Sequence, residues 1–346
     1  MRKLLIALGV LLILGAGVAA LAVRQLTLRV EAPFGADNGR EVFVEIEKGD
    51  SSQTIAARLA SAGVVRDDWT FRLAVWRSGR ARELQAGEYR FTAPLSPMQV
   101  AEKIATGQVY LRTITFPEGL TLIEMADIFE TRGFGERDRF VEAAQRVALI
   151  RDLDPDAANL EGYLFPETYS LPRDATAVDL VEAMVTQFRR GFDDDLRREA
   201  VLQKRSVREV VTLASLIQKE TGNQTEHDLV SAVYNNRLRI GMALQCDPTV
   251  IYALQLDGLY DGNLTRENLQ YDSAYNTYRY PGLPPGPIAA PGRAPLEAAL
   301  RPADASFLYF VSRNDGSHEF ANTLREHNRN VQRYQVEYFR AQRAGR

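Results

Sequence analysis

An uncharged run from Leu4 to Val23, bounded by Arg2-Lys3 and closed by Arg24, constrains this chain more than any other stretch. About 20 apolar residues are what an α-helix needs to cross a bilayer. A helix is the expected conformation because it bonds its own backbone where no water can. The short basic head belongs on the cytoplasmic side, which leaves everything after Arg24 outside that membrane. A cleaved signal peptide is the competing reading, since Ala20-Leu21-Ala22 has small residues at cleavage-like spacing. The run exceeds the roughly 7–15-residue apolar core of such a peptide, which favours a retained anchor. The expectation is a single-pass protein of the cytoplasmic (inner) membrane, with residues 1–24 as tip and anchor and its bulk on the periplasmic, extracytoplasmic side.

The length of 346 residues suggests roughly two to three domains, at about 150 residues each. A formal net charge of −3 gives no electrostatic case for nucleic acid. The single Cys246 excludes an intrachain disulfide and a multi-cysteine zinc site. Residues 25–41 lack helical period, contain Pro33, Gly35 and Gly39, and read as a connector. A weak repeat follows. Phe43-Val-Glu-Ile-Glu-Lys-Gly49, with Ile55, Ala56, Leu59 and Gly63 behind it, matches Thr113-Ile-Thr-Phe-Pro-Glu-Gly119 with Met125, Ala126, Phe129 and Gly133. Each unit reads as strand, glycine turn and amphipathic helix. The first continues into a second helix around Trp69–Val75, a strand at Gly87–Phe91 and a helix at Ser96–Thr106.

Farther on, residues 177–200 read as an amphipathic helix through Leu180, Met184, Val185, Phe188 and Phe192. Another is marked by Val207, Val210, Val211, Ala214, Ile217 and Thr221 at a 3.6-residue period. It stops near Thr221-Gly222-Asn223, with Gly222 free to take a left-handed cap. Glu220 therefore stands at the edge of an apolar stripe, at the negative end of a helix. Both burial and the dipole resist its ionisation, and a carboxyl that keeps its proton at neutral pH suits general acid catalysis. Thr225-Glu-His-Asp228 has the layout of a capping box for the next helix. Ser306–Ser312 and His318–Ala321 read as a hairpin about Asn314-Asp315-Gly316, and a closing helix starts at Thr323. Helices and strands mix without βαβ alternation, so the expected class is α+β.

Several stretches resemble one family, the YceG-like (MltG) endolytic murein transglycosylases. They include Ala214-Ser215, Lys219-Glu220-Thr221, Asn236-Arg237-Leu238, Leu244-Gln245, Asp247-Pro-Thr-Val-Ile-Tyr252, Ala274-Tyr-Asn-Thr-Tyr278, Gly282-Leu-Pro-Pro-Gly286 and Leu160-Glu-Gly-Tyr-Leu-Phe-Pro-Glu-Thr-Tyr169. The resemblance covers nearly the whole chain. It implies a small LysM-like α/β module at 42–109, a module type that binds amino-sugar glycans, and a larger mixed α+β catalytic domain at 110–346. It also implies Glu220 as the catalytic acid, peptidoglycan glycan strands as substrate, peptidoglycan synthases as partners, and no cofactor. Many members have a second Glu where this chain has Gln218, and Ser or Thr where it has Cys246.

In the reaction so implied, one Glu protonates the oxygen bridging MurNAc and GlcNAc and then takes the proton of the MurNAc C6 hydroxyl. That hydroxyl closes on C1, leaving a 1,6-anhydro end and consuming no water. An internal nucleophile at high effective concentration removes the need for a second carboxylate. Gln245, Asp247, Tyr252, Tyr275 and Asn276 are the candidate sugar-binding residues. Glu226 and Asp228 read more simply as dipole partners of the following helix, and Asp247 as an N-cap ahead of Pro248. The stiff, Tyr-bearing loop 275–292 reads as a cleft wall. His318 and His327 flank Asn322 but give no three-ligand set, so no metal is expected. Two rivals remain open: a muramidase-type hydrolase pairing Glu220 with Asp247, and a non-catalytic wall-binding scaffold.

Overall fold

The computed structural model describes residues 2–35 and 40–344. Helices dominate, and among the described residues the strands form three two-stranded pairs. The expected α+β class is the architecture adopted. The chain divides into two compact units, Met1–Arg112 with Ser170–Asp174, and Thr113–Tyr169 with Ala175–Arg346.

The first unit opens with α1 (Arg2–Glu31), an unbroken helix whose stretch Gly9–Glu31 is long and apolar enough to cross a membrane. The expected connector is thus corrected at its start. With no Pro or Gly between Gln25 and Glu31, nothing stops the helix before Pro33. Residues 36–39 of that connector lie outside the described residues. β1 (Val42–Ile46) pairs antiparallel with β2 (Gly87–Phe91), Val42 facing Phe91 and Ile46 facing Gly87. The period-2 alternation turns Val44, Ile46, Tyr89 and Phe91 inward. α2 (Ser52–Ser61) and α3 (Asp68–Ser78) lie between those strands in sequence, and α4 (Pro97–Ala105) follows. Ser51, Asp67 and Ser96 each accept a free backbone N–H at a helix start. Ile55, Leu59, Phe71, Val75, Val100 and Ile104 join the strand residues in one core.

The second unit begins on the other half of the repeat. β3 (Arg112–Thr115) pairs with β4 (Thr168–Leu171), and α5 (Leu122–Thr131) follows under a Thr121–Glu124 capping box. The repeat extends to backbone geometry. Gly49 and Gly119 have φ of 96° and 80°, and Gly63 and Gly133 have 72° and 70°, values that disfavour a side chain. After α6 (Arg137–Ala143), the helix expected over 177–200 is two helices, α7 (Ala177–Gly191) and α8 (Asp194–Leu202). Asp193 divides them by accepting the N–H groups of Asp195 and Leu196.

α9 (Val207–Glu220) is buried at every position from 210 to 217, which makes it a central helix rather than a one-faced surface one. It packs against α10 (His227–Arg239), α11 (Asp247–Leu256) and α12 (Arg293–Leu300). β5 (Tyr309–Ser312) and β6 (His318–Ala321) form the expected hairpin, Tyr309 facing Ala321 and Ser312 facing His318. α13 (Leu324–Val331) starts on the Thr323 cap and runs through a π-helical turn at Gln332–Glu337 into α14 (Tyr338–Ala344).

Candidate active site

Glu220 is the last residue of α9. The helix does not stop on a left-handed glycine: Thr221 is extended at φ −138° and ψ 131°, and Gly222 has no positive φ. A threonine hydroxyl does the work instead, Thr221 Oγ1 accepting the Asn223 N–H at 3.0 Å. The chain therefore leaves α9 straight, and the Glu220 side chain turns toward α10 and the start of α11.

There the Tyr234 hydroxyl donates to Glu220 Oε2 at 2.9 Å, and the Cys246 thiol lies 3.5 Å from the same oxygen. Among the described residues Oε1 has no partner. Burial pushes the Glu220 carboxyl above its ordinary range; the donors Tyr234 and Cys246 oppose the rise, Asp247's negative charge adds to it, and His318 opposes it weakly. Tyr234 and Cys246 are themselves buried, and burial before all else pushes both well up, so they remain neutral donors. A protonated carboxyl that accepts two donors on Oε2 carries its proton on Oε1. The arrangement is an acid whose proton faces away from the protein groups that hold it.

The start of α11 differs from the sequence expectation. Cys246 occupies the cap position without a side-chain cap bond, and Asp247 is already helical. The cause is a pair of threonines. Thr277 Oγ1 accepts the Cys246 N–H at 3.0 Å, Thr249 Oγ1 donates to the Cys246 carbonyl at 2.7 Å, and the two hydroxyls lie 2.9 Å apart. Asp247 is left free to accept from the Tyr278 hydroxyl at 2.5 Å. Gln245, next to Cys246, is exposed and sits at φ 51°, a strained conformation for a residue with a side chain. Buried Arg237 holds that turn by donating to the carbonyls of Leu244 and Leu308, each at 2.7 Å.

The other sequence candidates gather elsewhere. Tyr252 donates to Glu161 Oε2 at 3.2 Å, and its ring centroid is 5.0 Å from that of Tyr275. Glu161 is buried and takes the Leu122 N–H on both oxygens, at 3.0 and 3.1 Å. Burial raises its pKa to about 7 against the pull of those bonds. Asn276 is 0% exposed; its amide donates to the carbonyls of Leu269 and Tyr271 and its oxygen accepts from Tyr278 N–H. It shapes the loop from within. The farther part of the 275–292 loop is packed rather than open. Ile288, Ala289 and Ala290 are buried, Ile288 N–H reaches Ser215 Oγ, and Gly292 N–H reaches Gln218 Oε1.

Sequence reasoning missed Tyr234 because a Tyr beside Val230 and Val233 on a buried helix face reads as packing. It also misplaced Glu226. The capping box expected at Thr225 does not form; Asn223 accepts the Thr225 N–H, and α10 begins at His227 after a short 3-10 turn. Glu226 is buried, its Oε2 lying 2.7 Å from His318 Nδ1 and its Oε1 accepting the His318 N–H at 3.0 Å. Phe310 stands between, 6.1 Å from the Tyr234 ring and 5.4 Å from that of His318. The hairpin thus joins the surroundings of Glu220 through contacts 92 residues apart in sequence for the Glu226–His318 bond. Among the described residues no group of three His, Cys, Asp or Glu side chains could hold a metal ion.

Comparison with known proteins identifies the relatives of this chain. The chain is 31% identical over 318 residues to the endolytic murein transglycosylase of Bacillus subtilis (strain 168), covering 87% of each. It is 29% identical over 344 residues to the endolytic murein transglycosylase of Streptococcus pneumoniae (strain ATCC BAA-255 / R6), covering 89% of this chain and 61% of that relative. The crystal structure of a yceG-like protein from Listeria monocytogenes matches with a TM-score of 0.58 and 30% identity, over 84% of this chain and 99% of that one. The YceG-like family model matches residues 44–333, and with so much of its length matched, the chain belongs to the YceG-like family.

Proposed function

We propose that this chain is a membrane-anchored, endolytic lytic transglycosylase that cuts MurNAc-β-1,4-GlcNAc bonds within peptidoglycan glycan strands and leaves 1,6-anhydroMurNAc ends. The observation that carries the reading is the disposition of Glu220: one oxygen held by two neutral donors, the other without a partner among the described residues, and a pKa raised by burial. The Oε1 proton passes to the bridging oxygen. The resulting carboxylate, still held by Tyr234 and Cys246, then accepts the C6 hydroxyl proton as that oxygen closes on C1. Tyr234 and Cys246 steady the negative charge in between, as preformed donors do in a site that excludes water.

Gln245 and Asp247, adjoining Cys246, are assigned to the sugars nearest the cut. Tyr252, Tyr275 and Asn276 are assigned to holding the wall on which the strand rests. The strand–helix–helix–strand unit at 42–109 supports a LysM-like module that grips the same glycan. α1 supports a single-pass anchor with the bulk of the chain on the extracytoplasmic side. That placement puts the site beside newly made strands and the synthases that make them, and cleavage there ends elongation.

The test is digestion of purified glycan strands by the full-length protein in detergent, with mass analysis of the new ends. Anhydro ends, lighter than reducing ends by one water, are expected, and Glu220→Gln lowers their rate of formation by about 10²–10⁴-fold. Reducing ends would favour a two-carboxylate hydrolase employing Asp247 instead.

A further inference from the structure

The first unit carries a second feature that bears on the membrane. Resting on the anchor reading just given, we infer that α3 lies in the lipid headgroup layer of the bilayer that α1 crosses, and that its outward face is a lipid-docking surface.

α3 has two faces. Phe71, Ala74 and Val75 are buried in the core of the unit. Trp69, Arg72 and Trp76, spaced i, i+3 and i+7, form a single outward stripe. Trp69 is 38% and Trp76 78% exposed, and they are the two tryptophans of the chain. Large aromatics dominate buried area wherever they are covered, so leaving both on one helix face calls for a cover. Arg72, between them, makes no ion pair among the described residues.

The position of the stripe identifies that cover. The Arg29 guanidinium lies 5.9 Å over the Trp69 ring, and Arg77 pairs with Glu31 at 3.2 Å. Val30, on the same last turn of α1, is built into the core of the unit. The uncharged run ends at Arg24, and five residues of helix from there to Arg29 rise about 8 Å. A headgroup layer is roughly 5–8 Å deep on each side of the hydrocarbon. Trp69 therefore stands at the level where tryptophans collect in membrane proteins. Trp69 and Arg77 are about 12 Å apart along α3, yet their partners Arg29 and Glu31 are about 3 Å apart along α1. α3 accordingly crosses α1 and runs close to parallel with the membrane plane. Arg24, Arg29 and Arg72 give this level a positive charge suited to anionic headgroups. The acidic groups nearby are Asp67, held by Thr70, Glu31, held by Arg77, and Asp68 at the start of the helix. Helix and face together make two attachments, which fix the height and tilt of this unit over the bilayer where a lone span would let it swing.

Because both tryptophans are on the face, the emission of the full-length protein, excited at the red edge where its tyrosines do not absorb, reads this surface alone. The protein is reconstituted into phosphatidylcholine vesicles with and without phosphatidylglycerol, each carrying lipid brominated near the top of its acyl chains. The expected result is blue-shifted emission and strong quenching by the brominated lipid, for the wild type and for Trp69→Phe and Trp76→Phe separately. Arg72→Glu should lower the quenching by about half in the anionic vesicles. Emission at the water-exposed wavelength, quenched by iodide and untouched by brominated lipid, would overturn the docking if the protein resists alkaline carbonate washing. Release by that wash would instead overturn the anchor, and the docking with it. An Arg72→Glu variant quenched as fully as the wild type removes the charge contribution and leaves an aromatic contact alone.

Discussion

Glu161, buried, and Glu220, half-buried, belong to one unit and sit at opposite kinds of helix end. Glu161 faces the N-terminus of α5 and accepts its backbone N–H; Glu220 ends α9, where the dipole is negative. Dipole sign alone would separate them, lowering one pKa and raising the other. Both are raised, because desolvation is the largest cause at each. What distinguishes them is the state of their oxygens. Both oxygens of Glu161 are tied, to Leu122 and Tyr252, so it works as a staple between segments. Glu220 has one oxygen engaged and one without a partner among the described residues, which is what a proton donor to an outside molecule needs. A raised pKa marks burial; an unengaged oxygen marks chemistry.

The contrast is sharpest in turnover. Glu220→Gln should lower strand cleavage by about 10²–10⁴-fold, while Glu161→Gln costs less than about tenfold, roughly 1.4 kcal/mol of barrier. Equal losses, measured on purified strands, would erase the distinction. The second test is stability against pH. The native chain holds the Glu161 proton to about pH 7, against 4.5 for the free side chain. Its contribution is therefore fully present below about 4.5 and is lost as pH rises through 7, a change of about 3 kcal/mol. Glu161→Gln should flatten that part of the denaturation profile between pH 5 and 8, and an unchanged slope would show that Glu161 ionises freely in the fold. Glu220→Gln acts in the same direction, so the inactive variant should be the more stable one at pH 8.

The smallest effects concern the two donors on Oε2. Tyr234→Phe removes a bond that favours the charged form, so the alkaline limb of the pH–rate profile should move up while turnover falls about tenfold. Cys246→Ser supplies a stronger donor and should move the same limb down by a fraction of a pH unit. Shifts of the same sign in both variants would mean that they act on packing rather than on the carboxyl.

Much of the fold was legible because it depends on local pattern. The strand Gly87–Phe91, the helix starts at Ser51, Ser96, Ser206 and Thr323, and the β5–β6 hairpin all follow from periodicity and capping residues next to one another in the chain. The misplacements share a cause. Gly222, Thr225 and Asp247 were assigned from the preference of one residue or one short motif, and each was overridden by a better-placed hydrogen bond. At the site the sequence marked Glu220 and Asp247, passed over Tyr234, and considered Glu226 and His318 without pairing them. Their roles come from distant segments, and a Tyr or Glu on a helix carries no local sign of what will be packed against it.

By itself the sequence determined a membrane-length helix, a strand-and-helix repeat and an acid at the end of an apolar helix, because hydrophobic period and capping chemistry act within a few residues. Tertiary structure decided which of the acid's oxygens is held, that Glu226 would bond His318 rather than cap α10, and that both tryptophans would share an outward face beside the end of α1. Those outcomes depend on desolvation and on hydrogen bonds between segments far apart in the chain, quantities that exist only once the helices have packed.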